Sequence, residues 1–379
     1  MPTPRLTVND PSVAEVMALW DSMDKPRVSD VAEALGKEWK YIKRRVDLAL
    51  AARNRDPAIQ EGMDAIGTGL TPAGMWIKTG RDADGVSRSI YLRPQQEAAE
   101  DVLERIRGAF EGMEPAKPVT APDAVHDELC TVYAIADMHI GQMSWGREVG
   151  EPYNTDIAVA RLRDWIGRLV ASSPASKEAI ILDVGDTTHM DDSTNQTPRS
   201  KHVLDVDSRY FRTIEETVAA LSDAVELTLA KHEHVTVVIL EGNHSPHSCV
   251  ALIFALAERY RNEPRVTVRK EPGGFWAYQF GKNMFAATHG DKATPQRAVM
   301  FMADEYAEMW GQTRHRFLWT GHLHSAKMQD IGGVKHEQLR AMTSRDAYAY
   351  SSAYVARSQL QAITFHSKSG EMQRSYVGL

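Results

Sequence analysis

Residues 129–141 read LCTVYAIADMHIG, an apolar run that ends in the polar side chains of Asp137 and His139. A short apolar run rich in β-branched and aromatic residues, bounded by polar residues and a glycine, predicts a buried strand. Four more runs end the same way: AIILDV before Gly185-Asp186, HVTVVILE before Gly242-Asn243-His244, NMFAAT before His289, and RFLWT before Gly321-His322-Leu323-His324. Buried strands with polar residues at their C-terminal ends bring distant side chains into one pocket.

Carboxylate, imidazole and amide groups at these strand ends are the donors of a metal site. Two divalent cations about 3.5 to 4 Å apart need a bridging carboxylate and several neutral donors, and such a pair clamps a phosphoryl group and generates hydroxide near neutral pH. Imidazole suits transition metals, while oxygen ligands keep manganese feasible. The glycines at 185, 242 and 321 are expected to let the backbone turn sharply where each ligand is delivered.

Taken in order, D-x-H, G-D, G-N-H, a separate histidine and G-H-x-H resemble the calcineurin-like metallophosphoesterase superfamily. The resemblance covers about residues 129–365. It implies an α/β (α+β) fold in which a two-layer β-sandwich is flanked by helices, and a hydrolase that acts on phosphate esters.

The resemblance also implies a role for each polar residue of the motifs. Seven are implied as metal ligands: Asp137, His139 and His324 for the first ion, Asn243, His289 and His322 for the second, and Asp186 as the bridge. His244 is implied to contact the phosphate and to protonate the leaving oxygen. Manganese is the expected metal, with iron, zinc, nickel and magnesium as alternatives.

Two positions depart from the commonest pattern of the family. Residues 185–188 lead to His189 where many relatives carry an aspartate, and Ser245 replaces the acid after G-N-H. G-D-x-x-H, together with a D-x-H-x-G start that includes Gly141, resembles the exonucleases of double-strand-break repair. In those enzymes the extra histidine helps to position the phosphodiester. His189 is therefore a catalytic candidate, and a local surface histidine is the alternative.

The N-terminal part of the chain has a different chemistry, because all 14 histidines lie at or beyond His126. Helical spacing predicts a first helix after Pro11, a short second helix from Asp30 to Leu35, and a third from Lys37 to about Arg53. Strand-like residues at 74–78 and 87–93 flank a turn and predict a wing. Together these elements indicate a winged helix-turn-helix module, in which the third helix enters the major groove.

The third helix is expected to place Trp39, Ile42, Val46 and Ala49 on one face. Lys40, Lys43 and Arg44 fall on the other face, within a segment, 36–55, that carries seven basic and two acidic residues. These cations are candidate nucleic-acid contacts. The alternative is a three-helix interaction module whose lysines face solvent.

The predicted domains are a winged helix-turn-helix-like module at 1–93, a connecting helix and proline-containing linker at 94–128, and a metallophosphoesterase domain at 129–379. Within the last domain, the segment 191–212 follows the metal-bearing turn and contains Arg199 among several cations. Arg199 is a further candidate contact to a phosphate backbone, although cations near a long helix at 210–229 can equally face solvent.

Composition excludes several classes of protein. Apolar residues make up 43% and charged residues 25% of the 379, which is typical of a globular protein. The net charge of −7 argues against a protein that coats nucleic acid through overall basicity. No window approaches the roughly 18 apolar residues of a membrane span, and the N-terminus has no signal-peptide core. With only Cys130 and Cys249, both in apolar stretches, we expect buried thiols, no membrane partner and a cytoplasmic protein.

The leading hypothesis is a dinuclear-metal-dependent phosphodiesterase that acts on nucleic acid, with DNA as the expected partner and the N-terminal module placing the catalytic domain. One alternative is a phosphomonoesterase or small-nucleotide phosphatase. Another is a DNA-binding regulator with a non-catalytic phosphoesterase half. Only 55 residues follow His324, and these, including Tyr348, Tyr350, Tyr354 and the run 360–365, are expected to finish the sandwich. No coiled-coil ATPase partner is therefore expected.

Overall fold

A computed structural model describes residues 11–23, 27–53, 75–78, 89–92, 115–271, 273–355 and 357–379. The chain divides into two compact units, Met1–Val102 and Leu103–Leu379. The predicted connecting helix at 95–110 lies outside the described residues.

In the first unit, three helices pack around a small apolar core. They are α1 (Pro11–Ser22), α2 (Val28–Leu35) and α3 (Trp39–Arg53). Gly36 ends α2 in the left-handed conformation at φ 60°, where its N–H bonds the carbonyls of Ala32 and Glu33. Two strands, β1 (Met75–Lys78) and β2 (Ser89–Leu92), pair antiparallel. The predicted helices and strand pair are therefore present, with α2 beginning two residues before the predicted Asp30 and α3 two residues after Lys37.

The apolar stripe of α3 was predicted correctly except at its first residue. Ile42, Val46 and Ala49 are buried against α1 and α2, but Trp39 is 50% exposed. Trp39 begins the helix and lies beyond the packed stretch, and the Lys43 ammonium lies 5.9 Å from the centroid of its ring.

The second unit contains a six-stranded sheet in the order β13-β12-β3-β4-β5-β6. The parallel strands are β3 (His126–Ile135), β4 (Ser176–Asp183), β5 (His234–Ile239) and β6 (Val266–Val268). The strands β12 (Gln359–His366) and β13 (Gly370–Gly378) add to the β3 edge in antiparallel fashion.

The second sheet of this unit has five strands in the order β10-β11-β9-β8-β7. Its strands are β7 (Phe275–Phe280), β8 (Asn283–Thr288), β9 (His315–Thr320), β10 (Lys327–Ile331) and β11 (Val334–Gln338). The central strands β8, β9 and β11 run parallel, while β7 and β10 are antiparallel to their neighbours. The ends of β8 and β9 therefore point the same way.

Alternation along β3 explains how the layers stack. Cys130, Val132 and Ala134 face the second sheet, whose Phe285 and Trp319 belong to the same apolar cluster. Tyr133 and Ile135 face the opposite way, into a cluster formed with helices. Those helices are α5 (Thr155–Ser172), α6 (Tyr210–Leu229) and α7 (Ser248–Arg259).

On the outer face of the second sheet, Met284, Ala286 and Leu318 pack against α8 (Pro295–Glu305), next to α9 (Ala307–Gln312). Short helices α4 (Gly146–Val149) and α10 (Ala347–Ser351) lie in loops. The predicted two-layer sandwich flanked by helices is thus confirmed in its architecture, and both cysteines are buried free thiols as expected.

Two details differ from the sequence interpretation. Part of the predicted linker packs within the second unit: the N–H of Ala116 donates to the carbonyl of Arg259 at 2.9 Å, and Arg265 donates to the carbonyl of Val119 at 2.6 Å. The tyrosines at 348, 350 and 354 do not complete the sandwich, because all three are exposed in the loop before β12. Among the described residues, no helix combines the length and apolar character needed to cross a bilayer.

Candidate metal centre

The polar residues that follow five strands come together at one edge of the two sheets. Asp137 and His139 follow β3, Asp186 follows β4, Asn243 follows β5, and His289 follows β8. His322 and His324 follow β9. Parallel strands deliver their C-terminal ends to the same side of a sheet, and the Oδ2 of Asp186 lies 3.1 Å from the Nε2 of His289, which joins the two sheets across the site.

Asp137, His139 and His324 form one donor group, whose ligand atoms all lie within 4.8 Å of one another. The Nε2 of His324 lies 3.3 Å from the Oδ1 of Asp137 and 3.3 Å from the Nε2 of His139. The carboxylate of Asp137 is also held by the backbone N–H of His322, at 3.0 and 3.1 Å from its two oxygens. These are the residues that the resemblance implied for a first metal.

Asp186, His289 and His322 form a second donor group. The Oδ1 of Asn243 lies 3.1 Å from the Nε2 of His289, so the amide oxygen faces the same point as the carboxylate of Asp186. The Oδ2 of Asp186 is also 3.9 Å from the Nε2 of His139, and thus lies between the two groups.

The second donor group fits a cation. The Nδ1 of His289 lies 3.0 Å from the carbonyl of Val184, which fixes a hydrogen on Nδ1 and leaves a lone pair on Nε2. That lone pair then faces the oxygens of Asp186 and Asn243, an arrangement that needs either a second proton or a cation. Burial opposes the proton, but the carboxylate of Asp186 outweighs it and raises the pKa of His289 to about 10.

Burial favours the neutral form of three other imidazoles, and two of these belong to expected metal ligands. It lowers the pKa of His139 and His189 well below the usual value and also lowers that of His322. Neighbouring histidines act in the same direction, because two imidazolium charges repel. Neutral nitrogen donors combined with carboxylate and amide oxygens suit a divalent transition metal.

Several residues of the site have a left-handed backbone conformation, which residues other than glycine rarely adopt. Five of the expected ligands have positive φ angles: Asp137 at 49°, His139 at 46°, Asp186 at 53°, His322 at 68° and His324 at 55°. Each such residue costs about 1–3 kcal/mol, and this strain persists only where the surrounding structure over-determines it. The strain is concentrated where the donors converge.

The glycines before the ligands were all expected to allow sharp turns of the backbone, but this reason applies to only one of the three. Gly185 does have a positive φ of 106°. At Gly242 and Gly321 the decisive property is the missing side chain, because a Cβ would lie 2.0 Å from the Oδ1 of Asp186 and 2.6 Å from the Oδ2 of Asp137, respectively. The two carboxylates occupy the space that any other residue would fill.

His189 and His244 lie behind and beside His139. The two Nδ1 atoms of His139 and His189 are 3.0 Å apart, and the Nδ1 of His244 lies 2.9 Å from the carbonyl of His189. The rings of His189 and His244 stack with centroids 5.2 Å apart. His189 is buried, so the alternative of a local surface histidine is wrong.

The donor groups open into a cavity of about 600 Å³. Its walls include His139, Asp186, Asn243 and His244, but also residues that the sequence did not single out as site residues: Gln142, Ser344, Arg345, Asp346, Tyr348, Tyr354, Val355 and Arg357. No motif marks these residues, and all of them except Gln142 come from the segment between β11 and β12, whose path depends on the whole fold.

Asp183 was also missed. It is buried at the end of β4 and accepts hydrogen bonds from the N–H of Gly185 and the hydroxyl of Thr187, and burial raises its pKa to about 7. It holds the turn that carries Asp186. The apolar run AIILDV could have revealed it, because a carboxylate within a buried strand needs partners.

Three of the four candidate nucleic-acid contacts belong to the first unit. Lys40 and Arg44 are exposed on α3 of the first unit, and Lys43 is half-buried. Arg199 is exposed in the 191–209 loop and is not among the described residues that line the cavity. Nearby, Arg212 is bonded to Asp156 at 2.6 Å and is therefore engaged within the fold.

No family model and no curated protein matches the chain. Among solved structures, the chain is similar to a predicted phosphoesterase from Streptococcus pneumoniae, with 10% identity, a TM-score of 0.26, and 66% of this chain and 98% of that chain covered. It is also similar to an archaeal phosphodiesterase, with 12% identity, a TM-score of 0.33, and 66% and 99% covered.

A third similar structure is zinc-bound Vps29 from Entamoeba histolytica, with 13% identity, a TM-score of 0.28, and 65% and 98% covered. At these identities and scores the likenesses do not bear on activity, and the assignment depends on the fold and the site themselves. The structure itself has two packed sheets with flanking helices and, at the strand ends, groups of aspartate and histidine side chains that could hold metal ions.

Proposed function

We propose that the protein is a phosphodiesterase that binds two divalent cations and hydrolyses nucleic acid, DNA in the first instance. The observation that carries the proposal is the pair of donor groups on either side of Asp186, at the base of a cavity open to solvent. In this proposal Asp137, His139 and His324 would hold one ion, Asn243, His289 and His322 would hold the other, and Asp186 would contribute to both.

Two divalent cations at such a centre polarise the phosphoryl oxygens and lower the pKa of water. The protein's own residues determine which ring nitrogens of His139 and His189 carry a hydrogen. When His139 offers Nε2 to a cation, its Nδ1 carries the hydrogen and donates to the Nδ1 of His189. His189 is then a neutral ring with its hydrogen on Nε2, available to a phosphate oxygen.

His244 has a separate role in this proposal. Its Nδ1 donates to the carbonyl of His189 at 2.9 Å, so its Nε2 is the nitrogen that gains and releases a proton. A protonated His244 delivers that proton to the leaving oxygen as a general acid. The partly exposed ring at the cavity wall allows the leaving group to depart into solvent.

The nucleic-acid substrate is supported by the first unit. Three helices followed by an antiparallel strand pair are the elements of a winged helix-turn-helix module, and Lys40 and Arg44 are exposed on the third helix. Exposed cations on a recognition helix neutralise backbone phosphates. The cavity volume of about 600 Å³ is in the range of sites that hold a nucleotide-sized ligand.

The test is a panel of esters assayed with the metal-free protein after addition of manganese, iron, zinc, nickel or magnesium. The panel contains duplex and single-stranded DNA, RNA, a cyclic nucleotide, a chromogenic phosphodiester and a chromogenic phosphomonoester. We expect manganese to support cleavage of DNA and of the diester. Activity confined to the monoester would mean a phosphatase, and tight DNA binding without hydrolysis of any ester would mean a regulator.

A further inference from the structure

The loop between β11 and β12 exposes aromatic side chains beside the metal centre. Tyr348 and Tyr354 are 66% and 60% exposed, and both line the cavity that contains His139 and Asp186. Large exposed aromatics carry a cost in water, and here they are grouped at the mouth of a polar site. The proposed metal chemistry does not use them.

The rings of Tyr348 and Tyr354 are tilted relative to each other and do not form two parallel walls. Their centroids are 6.4 Å apart and the planes are inclined by 57°, so the two rings do not stack on each other, and both are more than half exposed. A flat ligand can therefore stack on a ring face. Both tyrosines line the cavity that also contains the donor groups. A ligand stacked on a tyrosine ring can therefore extend within the same cavity to the metal centre.

Two arginines surround this surface. Arg345 is fixed by donation to the carbonyl of Val149 at 2.8 Å and lies 5.2 Å from the centroid of the Tyr350 ring. The exposed guanidinium of Arg357 lines the same cavity and has no hydrogen bond or ion pair with any residue that the structure describes. Positive charge beside exposed aromatic faces is the combination that binds a nucleotide through its phosphate and its base.

The bond from Arg345 to Val149 holds the start of the loop, and local hydrogen bonds order α10 and the backbone at Tyr354. The Asp346 side chain caps α10 by accepting from the N–H of Ala349 at 2.7 Å, and the backbone N–H of Tyr354 donates to the carbonyl of Ala349 at 2.9 Å. Rings held on an anchored loop lose little conformational entropy when a ligand stacks on them.

We infer that Tyr348 and Tyr354 form a nucleobase subsite, in which a base of the substrate stacks while its phosphodiester lies at the metal centre and Arg357 contacts a neighbouring phosphate. The inference rests on the proposed phosphodiesterase function and specifies its substrate class as nucleotides with an unpaired base. Stacking requires no particular base, so the subsite discriminates nucleotides from other esters rather than one base from another.

The experiment compares two diesters that share the p-nitrophenolate leaving group: the p-nitrophenyl ester of thymidine 5′-phosphate and methyl p-nitrophenyl phosphate. The readout is the ratio of their kcat/KM values. We expect the wild-type ratio to favour the thymidine ester, and we expect Tyr348→Ala with Tyr354→Ala to lower the ratio at least about fivefold, since stacking contributes about 1–3 kcal/mol per base. The double phenylalanine variant keeps both ring faces and should keep the ratio.

Tyr376→Ala is the matched control, because Tyr376 is 52% exposed on β13 and does not line the cavity among the described residues. It should leave the ratio at the wild-type value. An unchanged ratio in the alanine pair overturns the subsite, as does an equal wild-type preference for the two esters. A parallel loss of both activities in the alanine pair, with an unchanged ratio, has the same meaning.

A binding measurement separates this inference from the proposed function. Thymidine 5′-monophosphate and deoxyribose 5-phosphate are titrated calorimetrically into the metal-free protein in the presence of a chelator. We expect tighter binding of the thymidine compound by the wild type, and loss of that difference in the alanine pair. If neither diester is hydrolysed but this difference is present, the proposed function is wrong and the subsite stands. If hydrolysis occurs without such a difference, the subsite is wrong.

Discussion

Asp186 lies between the two donor groups. Its Oδ2 lies 3.1 Å from His289 and 3.9 Å from His139, and its Oδ1 accepts the backbone N–H of His244 at 2.7 Å. His244, in contrast, is bonded to a backbone carbonyl, and it clusters with His139 and His189 rather than with the two donor groups that the resemblance implied. The two residues are adjacent in space but serve separable purposes in the proposed mechanism.

Asp186→Ala should therefore lose bound metal and hydrolysis together, while His244→Ala should keep its metal and lose turnover by about 10²- to 10⁴-fold, the usual contribution of a general acid. Metal content is measured by elemental analysis after gel filtration, and kcat with a chromogenic diester. Loss of both metals from His244→Ala would show that its role as an acid, rather than a ligand, has been assigned wrongly.

Gly242 offers a second test at the scale of a residue. A Cβ at this position would lie 2.0 Å from the Oδ1 of Asp186, whereas a Cβ on Gly167, in the middle of α5, meets no atom within 4 Å. Gly242→Ala should displace Asp186 and lower metal occupancy and activity.

Gly167→Ala should leave both unchanged and raise the free energy of unfolding by up to about 1 kcal/mol, because alanine is the better helix former. Metal analysis and urea unfolding on the two variants provide the comparison. Normal metal occupancy in Gly242→Ala would contradict the close-approach argument.

At the scale of elements, the sequence predicted strands and turns that a local pattern marks. It did not predict features that depend on how distant segments pack together. The strand ends at Asp137, Asp186 and His289 were predictable because an apolar run followed by a polar turn is a local pattern. The tyrosines at 348 and 354 were misjudged as part of the sandwich, because irregular spacing carries no period that separates a core strand from an exposed loop. Trp39 was wrongly expected to be buried. Periodicity shows which face of a helix is apolar, but it does not show how far along the helix the packed neighbours extend.

The start of β4 contains a buried pH-sensitive contact away from the metal centre. The Nδ1 of His232 accepts the backbone N–H of Ser176 at 3.1 Å, and its Nε2 lies 2.7 Å from the hydroxyl of Tyr133. Burial lowers the pKa of His232 to about 4, because a second proton on this ring would place a charge where water cannot solvate it. A histidine whose folded pKa is lowered stabilises the fold above its unfolded pKa, and that stability is lost as pH falls.

We therefore expect the free energy of unfolding to fall between about pH 6.5 and pH 4, with a contribution from His232 of up to about 1.4 kcal/mol per pH unit. In His232→Gln this contribution to the slope should be absent, even though the variant is less stable at pH 7. His234→Gln is the control, since His234 is exposed on the next strand and should keep the wild-type slope. Equal slopes in wild type and His232→Gln, measured by urea unfolding, would contradict this account.

At the scale of the whole molecule, charge and chemistry are divided between the two units. The histidines all belong to the second unit, while the basic segment 36–55 belongs to the first. If the first unit binds the nucleic-acid backbone, its cations should affect polymers and not small esters. Polymer affinity would then depend on salt through the phosphates that these cations neutralise.

Lys40→Ala, Lys43→Ala and Arg44→Ala, combined in one variant, should weaken duplex DNA binding and reduce the slope of log Kd against log salt by up to about 3, since each phosphate contact contributes about 0.9. The matched control removes three exposed cations of the second unit, Lys270, Arg314 and Lys368, so that the change in net charge is the same. Fluorescence anisotropy over a salt series, alongside kcat/KM for a chromogenic diester, separates the possibilities. A fall in DNA affinity with an unchanged slope would mean that α3 supports the module without contacting phosphate. Equal effects in the control variant would mean that the three cations of α3 act only through net charge.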